Sequence, residues 1–123
     1  MQIILLDSED LFAYTKMVSE MEKLVKRMVF ESYGVEKYYD SHIASTTYLL
    51  RGMKYRIPEM GEQNIGAEAH TDKSFFTILH QNGVNGLEIK AKKDDHWIGL
   101  QFNPNSFLVM AGDACLVYLL LVL

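Results

Sequence analysis

The sequence predicts an α+β fold in which a long amphipathic helix precedes a sandwich or jelly-roll sheet of short antiparallel strands. Apolar residues recur at alternating steps of three and four over the first quarter of the chain. Runs rich in β-branched and aromatic residues follow from about position 46, and turn signals separate them every ten residues or so. A helix followed by closely spaced strands is typical of such folds.

The first element is a helix that begins at Ser8-Glu9-Asp10 and ends at Gly34. A hydroxyl followed by acids is a common helix start, and glycine is the commonest residue just past a helix end. Six apolar residues form one stripe along the helix: Leu11, Tyr14, Val18, Met21, Val25 and Met28. We expect this stripe to pack on a core rather than to form a coiled coil or to lie on a membrane surface.

The charged residues of this helix fall mostly off the apolar stripe. They are Glu20, Glu22, Lys23, Lys26 and Arg27. A second, short helix is predicted over Val35 to Ile43, so residues 1–44 form a helical lead-in. His42 in this segment is interpreted as structural or exposed, because it has no partner at the spacing of metal ligands.

The strand region is predicted to begin with Thr46 to Leu50, with room to extend to Tyr55 before Pro58. Glu59 to Gly66 contains two glycines and several polar residues, and is predicted to be a loop. The next strand is predicted over Ser74 to Gln81.

A β-hairpin is predicted from Gly86 to Lys90 and from His96 to Leu100, because Asn-Gly turn signals precede it and a charged run divides it. Asn103-Pro104-Asn105 is predicted to be a turn. The last strand is predicted over Ser106 to Ala111 and ends at Gly112-Asp113.

Composition limits the classes of function. The 123 residues suit one soluble domain or a piece of one, and a net charge of −4 with a pI near 5.5 gives no electrostatic case for binding nucleic acid or an anionic membrane. Cys115 is the single cysteine, so no internal disulfide is expected and a reducing, cytoplasmic location is the natural inference. No secretory signal or membrane-spanning run is evident.

The chemistry of the chain is expected at His70-Thr71-Asp72. In an extended segment, residues two apart point to the same face, so an imidazole and a carboxylate project side by side. They would supply two of the three ligands of a two-histidine, one-carboxylate iron site. The tripeptide alone is a weak motif, because chance gives a His-x-Asp in about one such chain in five. A histidine that only hydrogen-bonds at a strand end is the alternative.

Longer segments resemble plant 2-oxoglutarate- and Fe(II)-dependent dioxygenases, in the same order along the chain from about Tyr33 onward. The segments are Gly66 to Leu79, Asn85 to Ile89, His96 to Ile98, and Pro104 to Asp113. Phe30 to Gly34 and Met53 to Arg56 suggest the branch that modifies glucosinolate side chains in plant specialised metabolism.

The resemblance implies a double-stranded β-helix that uses Fe(II), 2-oxoglutarate, dioxygen and ascorbate to oxidise a small organic substrate. His70 and Asp72 match the family's first two iron ligands, and no catalytic residue beyond the metal site is implied. Tyr55 matches a tyrosine that helps to bind 2-oxoglutarate. Met53 stands where the family often has asparagine, which is a departure from the pattern.

Two parts of the family's site have no counterpart in the sequence: a distal histidine ligand, and an Arg-x-Ser that pairs with the far carboxylate of 2-oxoglutarate. The arginines are Arg27, Arg51 and Arg56, and none begins Arg-x-Ser. The apolar tail from Leu116 to Leu123 also departs from the family. We therefore expect residues 45–123 to be a partial dioxygenase domain, truncated before both elements and inactive.

Two other functions remain open. The chain is a working oxygenase if His80, His96 or another chain supplies the third ligand. It is a non-catalytic interaction module if it self-associates or pairs with a full-length relative, through an open sheet edge or through Leu116–Leu123. The sequence does not name a substrate.

Overall fold

The computed structural model describes the backbone of residues 2–3 and 9–122, and the side chains of 9–122. The chain divides into two compact units, Met1–Thr71 with Val117–Leu123, and Asp72–Leu116. Three α-helices occur in the described residues: α1 Glu9–Ser32, α2 Tyr39–Ala44 and α3 Asp113–Val122. Six strands occur there: β1 Gln2–Ile3, β2 Met53–Lys54, β3 Phe76–Leu79, β4 Glu88–Lys90, β5 Trp97–Gly99 and β6 Leu108–Ala111.

The predicted first helix is confirmed as α1, although its expected capping residue Ser8 lies outside the described residues. Gly34 ends the helix as expected, with a φ of 67° that suits glycine. The Val35 amide donates to the carbonyl of Phe30 at 2.9 Å, and the Gly34 amide donates to that of Glu31 at 3.0 Å. These two bonds form a Schellman motif, which satisfies carbonyls that the helix end would otherwise leave unpaired.

Two charged residues of α1 are buried. Lys26 is 1% exposed and Glu22 is 7% exposed. Their charges lie 2.7 Å apart, and Glu22 also accepts a hydrogen bond from the Tyr48 hydroxyl at 3.0 Å. The apolar stripe is half-buried from Leu11 to Val25, but Met28 is 60% exposed. The most buried line of the helix therefore passes through the ion pair, which apolar periodicity does not detect.

Phe30 is the centre of the packing in the first unit. It is completely buried, and its ring lies 5.9 Å from that of Tyr39, 5.3 Å from that of His42 and 5.5 Å from that of Tyr118. The predicted second helix is confirmed, as a short 3₁₀ turn at Glu36–Tyr38 that leads into α2. His42 is thus structural, in agreement with the sequence interpretation.

The predicted strand Thr46 to Leu50 is wrong: these residues have no regular structure. The Thr46 hydroxyl donates to the His42 carbonyl at 2.8 Å and accepts from Lys26 at 3.3 Å, so this side chain ties the segment to the helices. The strand forms only further along, where β2 pairs antiparallel with β1. The predicted loop from Glu59 to Gly66 is confirmed.

The second unit contains the other two strand pairs, and all of its predicted strands are confirmed at shorter lengths. β3 pairs antiparallel with β6, with Phe76 opposite Ala111 and Leu79 opposite Leu108. The predicted hairpin is β4–β5, with Ile89 opposite Ile98, and Asp95 in its loop adopts a φ of 58°.

The α+β class is confirmed by one long helix followed by antiparallel strands. The described strands form three separate two-stranded sheets, so within residues 2–3 and 9–122 they do not close into a roll. The tail, for which the sequence predicted no regular element, continues as α3. Among the described helices, none combines the length and the apolar character needed to cross a membrane.

Candidate metal centre

His70 lies in the loop that follows Gly66, and its side chain is exposed. Its Nδ1 lies 2.7 Å from the carbonyl oxygen of Glu68. Since a carbonyl can only accept a hydrogen bond, Nδ1 carries the proton, and the neutral ring then has its lone pair on Nε2. Histidine ligands of metals typically donate their other ring N–H to a carbonyl or carboxylate in this way. The loop thus holds His70 in the tautomer that can bind a metal through Nε2.

Asp72 is half-buried, and it precedes β3 by four residues. Its backbone carbonyl accepts a hydrogen bond of 2.8 Å from the amide of Asp113, the first residue of α3. The neighbouring Lys73 forms an ion pair with the Asp113 carboxylate at 2.5 Å. The backbone of Asp72 is therefore attached to a helix start about 40 residues further along the chain.

The boundary between the two units falls between Thr71 and Asp72, so the two predicted ligands belong to different units. Covalent reach alone keeps their α-carbons within about 7 Å. Carboxylate and imidazole together match a non-haem Fe(II) donor set, which takes one carboxylate and two histidines.

Tyr55 follows β2 directly and is 51% exposed. Its hydroxyl lies 3.8 Å from the sulfur of Met53, the residue that replaces the family's asparagine. Gly66 packs against its ring so closely that a Cβ there would lie 2.9 Å from Cε1. The hydroxyl of Tyr55 therefore sits beside a thioether, which is only a weak hydrogen-bond acceptor.

The other histidines have structural surroundings. His80 donates through Nε2 to the Pro104 carbonyl at 2.9 Å, and its ring lies 4.7 Å from that of Phe107. His96 pairs with Asp94 in the β4–β5 loop. Within the described part of the chain, no three histidine, cysteine or acidic side chains form a group that could hold a metal ion.

Two of the three arginines, Arg27 and Arg56, have other contacts. Arg56 forms a two-point pair with Glu62, with nitrogen–oxygen distances of 2.7 and 2.6 Å. This pairing raises the pKa of Arg56 and lowers the pKa of Glu62. The guanidinium of Arg27 lies 4.6 Å from the centre of the Tyr39 ring. Both groups are therefore engaged within the first unit.

The sequence analysis did not predict that Gly112 and Asp113 contact the backbone of Asp72. The sequence marked them only as the end of a strand, which is correct but incomplete. A glycine at the junction of a strand and a helix is a signal of close backbone approach, but the partner is not identifiable from local pattern.

Comparison with known proteins identifies the family. The model of the 2OG-Fe(II) oxygenase superfamily matches residues 31–120. The chain is 45% identical over 111 residues to the probable 2-oxoglutarate-dependent dioxygenase AOP1 of Arabidopsis thaliana, covering 87% of this chain and 36% of that protein. It is 29% identical over 101 residues to gibberellin 20 oxidase 2 of the same plant, covering 81% of this chain and 26% of that protein.

A shorter match lies in the same group of relatives. The probable inactive 2-oxoglutarate-dependent dioxygenase AOP2 of Arabidopsis thaliana is 47% identical over 53 residues, which is 43% of this chain and 13% of that protein. The chain spans about a third of the length of the curated relatives that it matches over most of its own length. Because the family model covers well over half of the 123 residues, in agreement with the resemblance seen from Tyr33 onward, this chain belongs to the 2OG-Fe(II) oxygenase superfamily.

Proposed function

We propose that this chain is part of a Fe(II)- and 2-oxoglutarate-dependent dioxygenase domain and supplies two of its iron ligands, Nε2 of His70 and the carboxylate of Asp72. The observation that carries the proposal is the Nδ1–Glu68 hydrogen bond of 2.7 Å, which sets the metal-binding tautomer of His70 two residues before a carboxylate. Tyr55 is proposed to contact 2-oxoglutarate from the first unit.

The residues present fit part of the iron site. An imidazole nitrogen and a carboxylate oxygen are the donor types of this metal, and they stand at the spacing that the family uses. When iron and 2-oxoglutarate are bound, they supply the oxidising chemistry, in which one oxygen atom of dioxygen enters succinate, carbon dioxide leaves, and the other oxygen atom is available to oxidise the substrate. The task of this chain is to position the two ligands and the tyrosine.

We further propose that the 123-residue polypeptide by itself does not turn over 2-oxoglutarate. The described residues contain no third histidine, cysteine or acidic side chain grouped with the first two. Arg56 forms an ion pair with Glu62. Two protein ligands hold iron weakly, and none of the three arginines begins the Arg-x-Ser that pairs with the far carboxylate of 2-oxoglutarate in the family.

The test has two readouts on the same purified chain. Mn(II), which accepts the same donors, is titrated while broadening of the backbone amide signals is followed by NMR, and succinate release is measured with Fe(II), 2-oxoglutarate and ascorbate. We expect selective broadening near residues 70–74 that disappears in His70→Ala and Asp72→Ala. We expect succinate no higher than in His70→Ala. Broadening that persists in both variants would refute the ligand assignment, and succinate clearly above the blank would refute the lack of turnover.

The chain offers a matched control for unspecific metal binding. Asp94 and His96 also place a carboxylate and an imidazole two residues apart, but in the β4–β5 loop, and the two side chains bond to each other. His96→Ala should leave the broadening at residues 70–74 unchanged. Equal losses in His96→Ala and His70→Ala would mean that the metal only samples exposed histidines.

The intact domain is proposed to act on a small organic molecule of plant specialised metabolism. The support is the similarity to the AOP group, together with the Met53 to Arg56 segment that suggested a role in glucosinolate side-chain modification. The presence of a single cysteine supports a cytoplasmic location.

A second candidate function is a non-catalytic module that pairs with a full-length relative. The observation in its favour is the apolar surface of α3, where Leu116, Leu120 and Leu121 are 60%, 72% and 81% exposed. Exposed apolar surface of this kind is typical of contact surfaces. Co-elution with a full-length relative in size-exclusion chromatography, lost when these three leucines are replaced by glutamine, would favour the module. Separate elution would exclude it.

A further inference from the structure

Gly112 is buried at the end of β6, where it packs against the backbone on both sides of Lys73. A Cβ at this position would lie 2.1 Å from the carbonyl oxygen of Ser74 and 2.7 Å from that of Asp72. Both atoms are backbone, so no side-chain rotation relieves the overlap. Any residue larger than glycine must push the segment that carries Asp72 away from the start of α3.

Two hydrogen bonds hold the same backbones together. The amide of Gly112 donates to the carbonyl of Phe75 at 3.0 Å, and the amide of Asp113 donates to that of Asp72 at 2.8 Å. The Gly112 carbonyl accepts the first intrahelical bond of α3 from Leu116 at 3.3 Å, which makes Asp113 the first helical residue. Its amide is one of the donors that a helix start leaves without an intrahelical partner, and the Asp72 carbonyl satisfies it.

We propose that Gly112 and Asp113 are positioning residues for the metal ligand Asp72. Gly112 allows the two backbones to touch, and the Asp113 amide fixes the peptide plane that follows the Asp72 α-carbon. Together they restrict the direction in which the carboxylate leaves the chain. This inference rests on the proposed function, because it concerns the ligand that the function assigns to Asp72.

The contrast with the other ligand supports a role at the site. His70 is oriented by a carbonyl within its own loop, two residues earlier, whereas Asp72 is fixed by a contact about 40 residues away in sequence. A metal ligand must be held to within a fraction of an ångström of its place. A hydrogen bond to the backbone of the ligand residue helps to hold it there.

The experiment compares Mn(II) binding by four variants of the full chain, followed by broadening of the amide signals at residues 70–74. Gly112→Ala removes the close approach, and Gly99→Ala is its control, because a Cβ at Gly99 meets no atom within 4 Å. Asp113→Pro removes the amide donor at a position where proline suits a helix start, and Asp113→Asn keeps the donor while it removes the Lys73 ion pair.

We expect Gly112→Ala and Asp113→Pro to weaken Mn(II) binding by about 10- to 100-fold, the usual effect of losing a group that supports a metal ligand. Gly99→Ala and Asp113→Asn should bind Mn(II) with an affinity within about threefold of that of the unmodified chain, which is a small change beside the expected 10- to 100-fold loss. Unchanged amide signals show that a variant is folded, those of β4–β5 for the Gly112 and Asp113 variants and those of β3 for Gly99→Ala. If Gly112→Ala does not fold, the comparison of Asp113→Pro with Asp113→Asn decides.

The results separate failure of this inference from failure of the proposed function. Equal Mn(II) affinity in Gly112→Ala and Gly99→Ala, or in Asp113→Pro and Asp113→Asn, overturns the positioning role while the unmodified chain still binds through Asp72. Binding by the unmodified chain that does not depend on Asp72 overturns the proposed function itself, and the positioning role with it.

Discussion

Replacing Glu22 by alanine tests whether the buried ion pair of α1 holds the first unit together. The variant leaves Lys26, which is 1% exposed, without the carboxylate that lies 2.7 Å from its ammonium group. It also removes the acceptor of the Tyr48 hydroxyl. Alanine is a better helix former than glutamate, so any loss of stability cannot come from helix propensity.

The expected loss is large because a buried charge without its partner is costly. Breaking a buried pair by removing one partner costs about 3–5 kcal/mol. We add nothing for the Tyr48 bond, because that side chain is 52% exposed and water can replace the acceptor. With a urea dependence of about 1.5 kcal/mol/M, the unfolding midpoint should fall by about 2–3 M. The measurement is urea unfolding followed by circular dichroism at the helix band.

Two variants isolate the cause. Glu20 and Lys23 form a pair of the same 2.7 Å length on the same helix, but their side chains are 58% and 34% exposed, so Glu20→Ala should leave the midpoint nearly unchanged. Replacing both Glu22 and Lys26 by methionine should restore most of the stability, because no buried charge remains. A Glu22→Ala midpoint within about 0.5 M of the unmodified chain would refute the reasoning, since that shift corresponds to about 0.75 kcal/mol, far below the expected loss.

Two further predictions concern the same unit. Phe30→Ala should lower the free energy of unfolding in urea by about 3–5 kcal/mol, because the ring is fully buried. Phe12→Ala on the same helix should change it little, because that residue is 73% exposed. Similar losses in the two variants would contradict the packing described for Phe30. Burial and the charge of Lys26 lower the pKa of His42, despite the opposing effect of Glu22. The contribution of neutral His42 to stability is therefore present above pH ~6.5 and is lost as the pH falls through the folded-state pKa. The difference in urea midpoint between pH 7.5 and pH 5 should therefore shrink in His42→Phe, which keeps the ring packing. An unchanged difference in His42→Phe would contradict this assignment.

The parts of the fold that depend on local signals were predictable from the sequence. Gly34 marked the end of α1 because a left-handed residue there is favourable for glycine, and turn signals located the β4–β5 hairpin. Local signals failed where side chains are used in long-range contacts. Thr46 and Tyr48 have high strand propensity, but their hydroxyls bond to the helices, and the segment has no regular structure. The burial of Lys26 was likewise invisible to an apolar pattern.

The same distinction between local signals and long-range contacts applies to the candidate site. The spacing of His70 and Asp72 is a local property, so the sequence predicted both residues, and the hydrogen bond from Nδ1 of His70 to Glu68 is made within its own loop. The support of Asp72 depends on the folding of β6 and α3, which no local pattern around position 72 reveals. It follows that loosening β6 or the start of α3 should release the backbone of Asp72. Metal affinity of this chain should therefore fall together with the stability of the Asp72–Leu116 unit, through the carboxylate ligand.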